Sequence, residues 1–144
     1  MKTEIRSHCP ISYTLDLLGD KWSLLILRDI LFKSKNSYQD FLDSEERIAT
    51  NILASRLKKL VEQDFLIKKR NPNNKKQFFY FAAPKAIELI PALTEFIIWG
   101  AKFDQHTAVP KDFLLKMETD KLQFVEHTQA QQKSLLNSND SYSD

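Results

Sequence analysis

Residues 49–81 read ATNILASRLKKLVEQDFLIKKRNPNNKKQFFYF, and a change of period inside this stretch decides the fold. From Ala49 to about Asp64 the apolar residues recur at helical spacing, with Leu53, Leu57 and Leu60 on one stripe and Ile52 and Val61 beside it. Phe65–Arg70 and Gln77–Phe81 are then short β-prone runs rich in Phe, Ile and Tyr. Between them Asn71-Pro72-Asn73-Asn74-Lys75-Lys76 has turn chemistry. The expectation is a helix with a polar outer face, followed by a β-hairpin with a basic tip.

Upstream, Pro10 suits the first turn of a helix in which Ile11, Leu15 and Leu18 form an apolar stripe. Gly19 interrupts it. Asp20 can cap a second, largely buried helix carrying Trp22, Leu25, Ile26 and Ile30 on one face and Leu24, Leu27 and Leu31 beside them. Ser37 is a fair N-cap for a short third helix that turns Tyr38, Phe41 and Leu42 inward. Downstream, Pro84 opens a helix carrying Ile87, Ile90, Leu93 and Ile97, with Leu89, Phe96 and Trp99 adjacent, and Pro91 should bend it. A last amphipathic segment begins near Pro110, with Phe113, Leu114, Met117, Phe124 and Val125 on a seam that Lys121 interrupts. The fold class expected is mainly α with a small β-hairpin wing. It divides into a winged helix-turn-helix unit over residues 8–103, a C-terminal dimerisation helix over 104–127 and a disordered tail over 128–144, where Gln, Ser, Asn and Asp dominate.

Composition narrows the function. One cysteine in 144 residues excludes an internal disulfide and a cysteine zinc cage. No apolar run is long enough for a membrane span, the N-terminal segment lacks the apolar stretch of a secretory signal, and a reducing cytoplasm is the expected setting. Paired nucleophiles and bases, glycine-rich phosphate loops and metal-spaced ligands are missing from the pattern, so neither an enzyme nor a bound cofactor or metal is expected. Charge points elsewhere. Between Arg47 and Lys85 ten Lys/Arg face two acids, a surplus of eight in a chain of net charge +2, which leaves −6 for the remainder. A basic stripe inside a mildly acidic chain is the footprint of a polyanion site.

A helix enters the DNA major groove because that groove exposes a full base code. With Leu53 inward, the opposite face of the helix carries Asn51, Ser55, Lys58 and Glu62, with Ala54 and Lys59 flanking and Thr50 near the start. Asn51 can pair with adenine, Ser55 with a base edge or phosphate, and Lys58 with guanine or phosphate. Arg70, Asn73, Asn74, Lys75 and Lys76 of the hairpin can follow the backbone or a minor groove, with Lys68 and Lys69 on the strands. Lys35, Ser37 and Gln39, before and within the short third helix, are further candidates for backbone contact. A solvated polar helix and a polar turn remain the bland alternatives.

These residues together resemble the HxlR-type winged helix-turn-helix regulators. The resemblance rests on Cys9-Pro10, Leu18-Gly19-Asp20-Lys21-Trp22 and the apolar helix to Leu31, then Tyr38-Gln39-Asp40-Phe41. It continues through Ile48–Leu53, Arg56-Leu57, Leu60, Phe65, Tyr80 and the Leu89, Pro91, Leu93, Trp99 series. The chain departs from the family pattern at Asp64, where glycine is usual after the recognition helix, and at Ser37, where arginine is usual. It departs again at Ala82-Ala83 for Leu-Thr and at Ala86 for glycine. The resemblance implies a sequence-specific double-stranded DNA-binding transcriptional regulator, more commonly a repressor. It further implies a homodimer on a palindromic operator, built through the helix near Pro10 and the C-terminal helices. Phe113, Met117, Phe124 and Val125 are expected to need a partner surface; packing within the chain is the alternative. Some relatives sense oxidants or electrophiles through the cysteine of this Cys-Pro pair, and Cys9 at a helix start suits a thiolate; an inert thiol is the alternative. A small-molecule effector is also compatible, as are two other functions, a winged helix used for protein contact and a DNA binder without an operator.

Overall fold

The computed structural model describes residues 3–139. Its order is α1 Pro10–Leu18, α2 Ser23–Lys33, α3 Tyr38–Leu42, α4 Thr50–Glu62, β1 Leu66–Asn71, β2 Asn74–Ala82, α5 Pro84–Ile87, α6 Ile90–Phe103, α7 Lys111–Thr119 and α8 Lys121–Ser138. This is a mainly helical architecture with one antiparallel hairpin, as the sequence indicated. β2 is also held on its other edge, where Ser37 bridges Phe79 and the Tyr80 amide donates to the Asn36 carbonyl at 2.8 Å. That link stitches the wing to the start of α3.

Caps fix the helix-turn-helix. The Asp20 carboxylate accepts from the amides of Trp22 and Ser23, each at 3.0 Å, and starts α2. Ser37 and Asp40 form a reciprocal capping box at α3. α4 ends in a Schellman arrangement: the Phe65 amide returns to the Leu60 carbonyl at 2.9 Å and the Asp64 amide to Val61 at 3.1 Å. Asp64 therefore sits at φ 62°, the left-handed position that the family fills with glycine. Aspartate is among the few residues that tolerate it, so the departure costs little and the turn into β1 survives.

The core is built on α2, where Ile26, Leu27, Ile30 and Leu31 are buried, and on Leu53, Leu57 and Leu60 of α4. Phe65, Leu66 and Tyr80 close it from the hairpin, and Ile87, Ile90 and Leu93 from α5 and α6. Each fully buried leucine contributes about 1.5–3 kcal/mol relative to exposure.

Several expectations are corrected. Pro91 does not bend a helix; the chain ends α5 at Ile87 and Pro91 lies in the first turn of α6, where a missing amide is harmless. The last segment is two helices, α7 and α8, and the expected disorder from residue 128 gives way to helix as far as Ser138. Thr128 and Gln132 are buried in α8; the Gln132 side chain donates to the Leu31 carbonyl at 3.1 Å, pinning α8 to the end of α2. Residues 140–144 of the expected tail lie outside the described residues. Met117, Phe124 and Val125 pack into the chain's own core, so the alternative of packing within the chain holds for them. Conversely, the Ile11–Leu15 stripe of α1 faces outward: Ile11 is 73% and Leu15 54% exposed. Tyr38, too, turns outward, and its hydroxyl donates to the Thr50 carbonyl at 3.0 Å.

Candidate nucleic-acid interface

α4 is presented by the turn that precedes it, and that turn is held by charge. Arg28 of α2 grips Glu46 with both terminal nitrogens, at 2.8 and 2.9 Å, and Asp29 through Nε and Nη2 at 3.0 and 2.8 Å. Asp29 is 2% exposed and also accepts from the Ser44 hydroxyl, with Lys35 Nζ 4.0 Å away. The Arg28 fork holds the Glu46 carboxyl at about 2, far below its ordinary value. A depressed carboxylate stabilises the fold above its unfolded pKa of about 4.3. That contribution is lost as pH falls through the folded value. Glu46→Gln is therefore expected to flatten the decline in urea midpoint between about pH 5 and about pH 2; an unchanged acid profile would remove the pair from the account.

On α4 itself, Thr50, Asn51, Ala54, Ser55, Lys58 and Glu62 are exposed on the face opposite the buried leucines. Lys58 Nζ stands 3.8 Å from Glu62 Oε1, leaving its ammonium near the outer end of the face. Lys59 is drawn back: its side chain is partly buried and its ammonium lies 3.9 Å from Asp20 Oδ2. Arg56, which the sequence offered only as part of the family pattern, bonds Asp20 at 3.0 Å and reaches the Ser55 hydroxyl at 3.3 Å. It ties α4 to the start of α2 and orients Ser55. Partial burial works against the Asp20 charge, but hydrogen bonds from Ser23, Arg56 and Trp22 outweigh it and hold the carboxyl below its ordinary value. A contact across 36 residues leaves no local sequence signal.

The wing tip is tighter than the sequence implied. Asn71 pairs with Asn74, which leaves Pro72 and Asn73 as the loop. Asn71 Oδ1 accepts the Asn73 amide at 2.9 Å, and Asn74 Oδ1 accepts the Lys76 amide at 3.2 Å. Asn73, Asn74, Lys75 and Lys76 are all exposed. Arg70 is partly committed, donating to the Lys75 carbonyl at 2.9 Å. Strand alternation separates the basic pair. Lys68 is exposed with its ammonium 4.1 Å above the Phe78 ring, while Lys69 is buried on the other face and donates to the Asn139 carbonyl at the end of α8. Lys69 is thus a helix-capping residue, not part of the basic face.

Of the third-helix candidates, only Gln39 is exposed, and its amide donates to Asp43 at 2.9 Å. The Ser37 hydroxyl accepts the Asp40 amide at 3.2 Å, its own amide donates to Asp40 at 3.1 Å, and the residue is buried. Lys35 donates to Ser44 at 3.0 Å. Tyr38 is the residue that sequence reasoning misplaced. It lines both the groove between α3 and the wing, with Gln39 and Lys76, and the groove between α4 and the wing, with Lys58 and Lys68. These grooves join the exposed face of α4 to the basic hairpin in one surface.

Cys9 is exposed at the N-cap of α1. The amides of Ser12 and Ile11 hold its thiol below the ordinary value, although no side-chain hydrogen bond closes the cap. No group of His, Cys, Asp and Glu among the described residues could hold a metal ion, and no helix among them is long and apolar enough to cross a membrane.

Comparison with known proteins agrees with this geometry. The chain is 32% identical over 94 residues to the uncharacterised HTH-type transcriptional regulator BH0655 of Halalkalibacterium halodurans, covering 65% of this chain and 82% of that one. It is 32% identical over 85 residues to the uncharacterised HTH-type transcriptional regulator sll1512 of Synechocystis sp., covering 59% of this chain and 62%, less than two thirds, of that relative. Among solved structures it is similar to PA1607, a candidate transcription factor, with a TM-score of 0.66, 29% identity and 76% of each chain covered. The family pattern of HxlR-like helix-turn-helix proteins matches residues 17–108, which hold the whole of α2 to α6. The chain belongs to the HxlR-like helix-turn-helix family, whose members are transcription regulators rather than enzymes.

Proposed function

We propose that the protein is a homodimeric, sequence-specific repressor that inserts α4 into the DNA major groove and sets the wing against the adjacent backbone or minor groove. The observation that carries this reading is the exposed outer face of α4, with Asn51, Ala54, Ser55 and Lys58, linked by the grooves that Tyr38 lines to a hairpin that exposes Lys68 and Asn73–Lys76. Asn51 and Lys58 read base edges, Thr50 and Ser55 contact the groove wall, and Lys75 and Lys76 engage phosphate. Lys59, Arg70, Lys35 and Ser37 support the surface from within, since each already has a partner in the chain. Two copies would read half-sites about 34 Å apart on a palindrome. The family resemblance supports repression, and the single cysteine supports a reducing cytoplasmic setting.

Selection of bound duplexes from a random pool should return a palindrome, and affinity should fall steeply as salt rises through counterion release. Against that site Asn51→Ala is expected to cost about 1–3 kcal/mol and to relax one base position. Lys76→Ala should weaken all sequences alike and lower the salt slope by about one. A salt-insensitive interaction, or no enriched sequence, would replace this reading with a protein-contact or non-specific role.

Cys9 is the candidate switch. Its exposure and its lowered thiol value favour the thiolate needed for alkylation or for sulfenic acid formation by a peroxide. Oxidant- or aldehyde-dependent DNA release is expected in the native protein and absent in Cys9→Ser; equal release from both would assign sensing elsewhere.

A further inference from the structure

α7 and α8 both lie beyond the residues that match the family pattern, and they enclose a feature that the DNA-binding surface does not use. Where they meet the end of α2 there is a cavity of about 340 Å³, within the range of small-molecule sites. Its apolar walls are three phenylalanines. Phe32 and Phe124 lie parallel with ring centroids 6.4 Å apart, and Phe113 stands edge-on to Phe124 at 5.4 Å. Lys116 and His127 are exposed at the rim, and no carboxylate lines the cavity. Neither side chain makes an ion pair or hydrogen bond to another group among the described residues. The Thr128 hydroxyl is buried and spends its proton on the Phe124 carbonyl at 2.8 Å, so it is not a donor to the cavity.

We propose that this cavity binds a flat, apolar small molecule bearing one anionic group, an aromatic carboxylate being the simplest case. The rings offer faces and edges to an aromatic body, and an unpaired ammonium at the rim of an apolar slot selects a carboxylate by a charge-assisted hydrogen bond. The slot is wired to the DNA-binding half. Leu31 lines it, and the Leu31 carbonyl is held by Gln132 one helical turn beyond Thr128. α2 in turn carries Arg28 and Asp29, which fix the turn ahead of α4. The effector role of the site rests on the function proposed above, whereas binding itself does not.

Titration calorimetry of the full chain without DNA, with 2-naphthoate and its uncharged analogue 2-naphthamide, tests the site. Saturable 1:1 binding of naphthoate is expected, with naphthamide about tenfold weaker. Lys116→Met, an exposed substitution that leaves the fold intact by circular dichroism, should bring naphthoate down to the naphthamide level. Phe113→Ala should weaken both ligands alike. Failure of naphthoate to saturate, or a carboxylate preference that survives in Lys116→Met, would overturn the proposal. Affinity that falls as protein concentration rises would also overturn it, because a second copy would then be the occupant. Naphthoate that binds without changing retention of the selected duplex would overturn the effector role alone.

Discussion

Asp29→Ala is expected to lower folding stability by about 3–5 kcal/mol, the usual cost of removing one partner from a buried ion pair. The carboxylate is 2% exposed and serves Arg28, Ser44 and, at longer range, Lys35, so its deletion removes three interactions at once. Its loss strands the inner edge of the Arg28 guanidinium and leaves the Ser44 hydroxyl without its acceptor. Asp29→Asn keeps the shape and one acceptor oxygen but removes the charge, and should cost less, about 1–3 kcal/mol. Urea denaturation of the three proteins at neutral pH measures the series. A loss below about 1 kcal/mol for alanine would show that the site relaxes or hydrates, and the network would then not be what holds the turn before α4. Should alanine abolish folding, the asparagine variant still reports the charge term. DNA retention by the asparagine variant links stability to function: the position of Ile48 to Thr50, and so the start of α4, depends on this anchor.

That anchor illustrates what the sequence shows and what it hides. α2 and α4 were legible because buried leucines at a 3.6-residue period leave a strong pattern, and the polar outer face of α4 follows once Leu53 is placed inward. The hairpin was legible too, from two β-prone runs around a segment with turn chemistry, and the family pattern agreed with its role as a wing. The extent of the wing was harder to read, since Asn74–Gln77 form an exposed strand with no buried face and hence no alternation. Tyr38 looked apolar and inward, yet its hydroxyl finds a backbone carbonyl on α4. Polar composition in α8 argued for disorder. Thr128 and Gln132 are instead buried by hydrogen bonds, the second of them spanning 101 residues of sequence. Pairs distant in sequence, such as Arg56 with Asp20 and Lys69 with Asn139, separate basic residues that face outward from those spent on the fold, and spacing alone does not sort them. Periodicity also does not say whose core an apolar stripe serves, and α1 is the case in point.

Trp99→Lys is expected to convert the protein to a monomer and to weaken binding to the selected palindrome by about 100-fold, the avidity lost when two linked half-site readers become independent. Within one chain Trp99 is 67% exposed, Phe103 65%, Phe96 61% and Ile11 73%. The Trp99 and Phe103 rings touch each other, with centroids 5.1 Å apart, while most of their surface remains uncovered. Large aromatics exposed this way on α6, with a further apolar stripe on α1, are surface that a partner could cover. A second copy is the partner that the family resemblance indicates. Because Trp99 supports little of its own chain's core, a lysine there should leave the monomer's fold nearly unchanged, within about 0.5 kcal/mol. Light scattering and circular dichroism thus separate assembly from folding, and a half-site duplex separates assembly from recognition: it should bind the variant and the native protein with similar affinity. A native protein that is monomeric at micromolar concentration, or a Trp99→Lys variant that stays dimeric, would move the interface away from α6 and leave its aromatics to another partner.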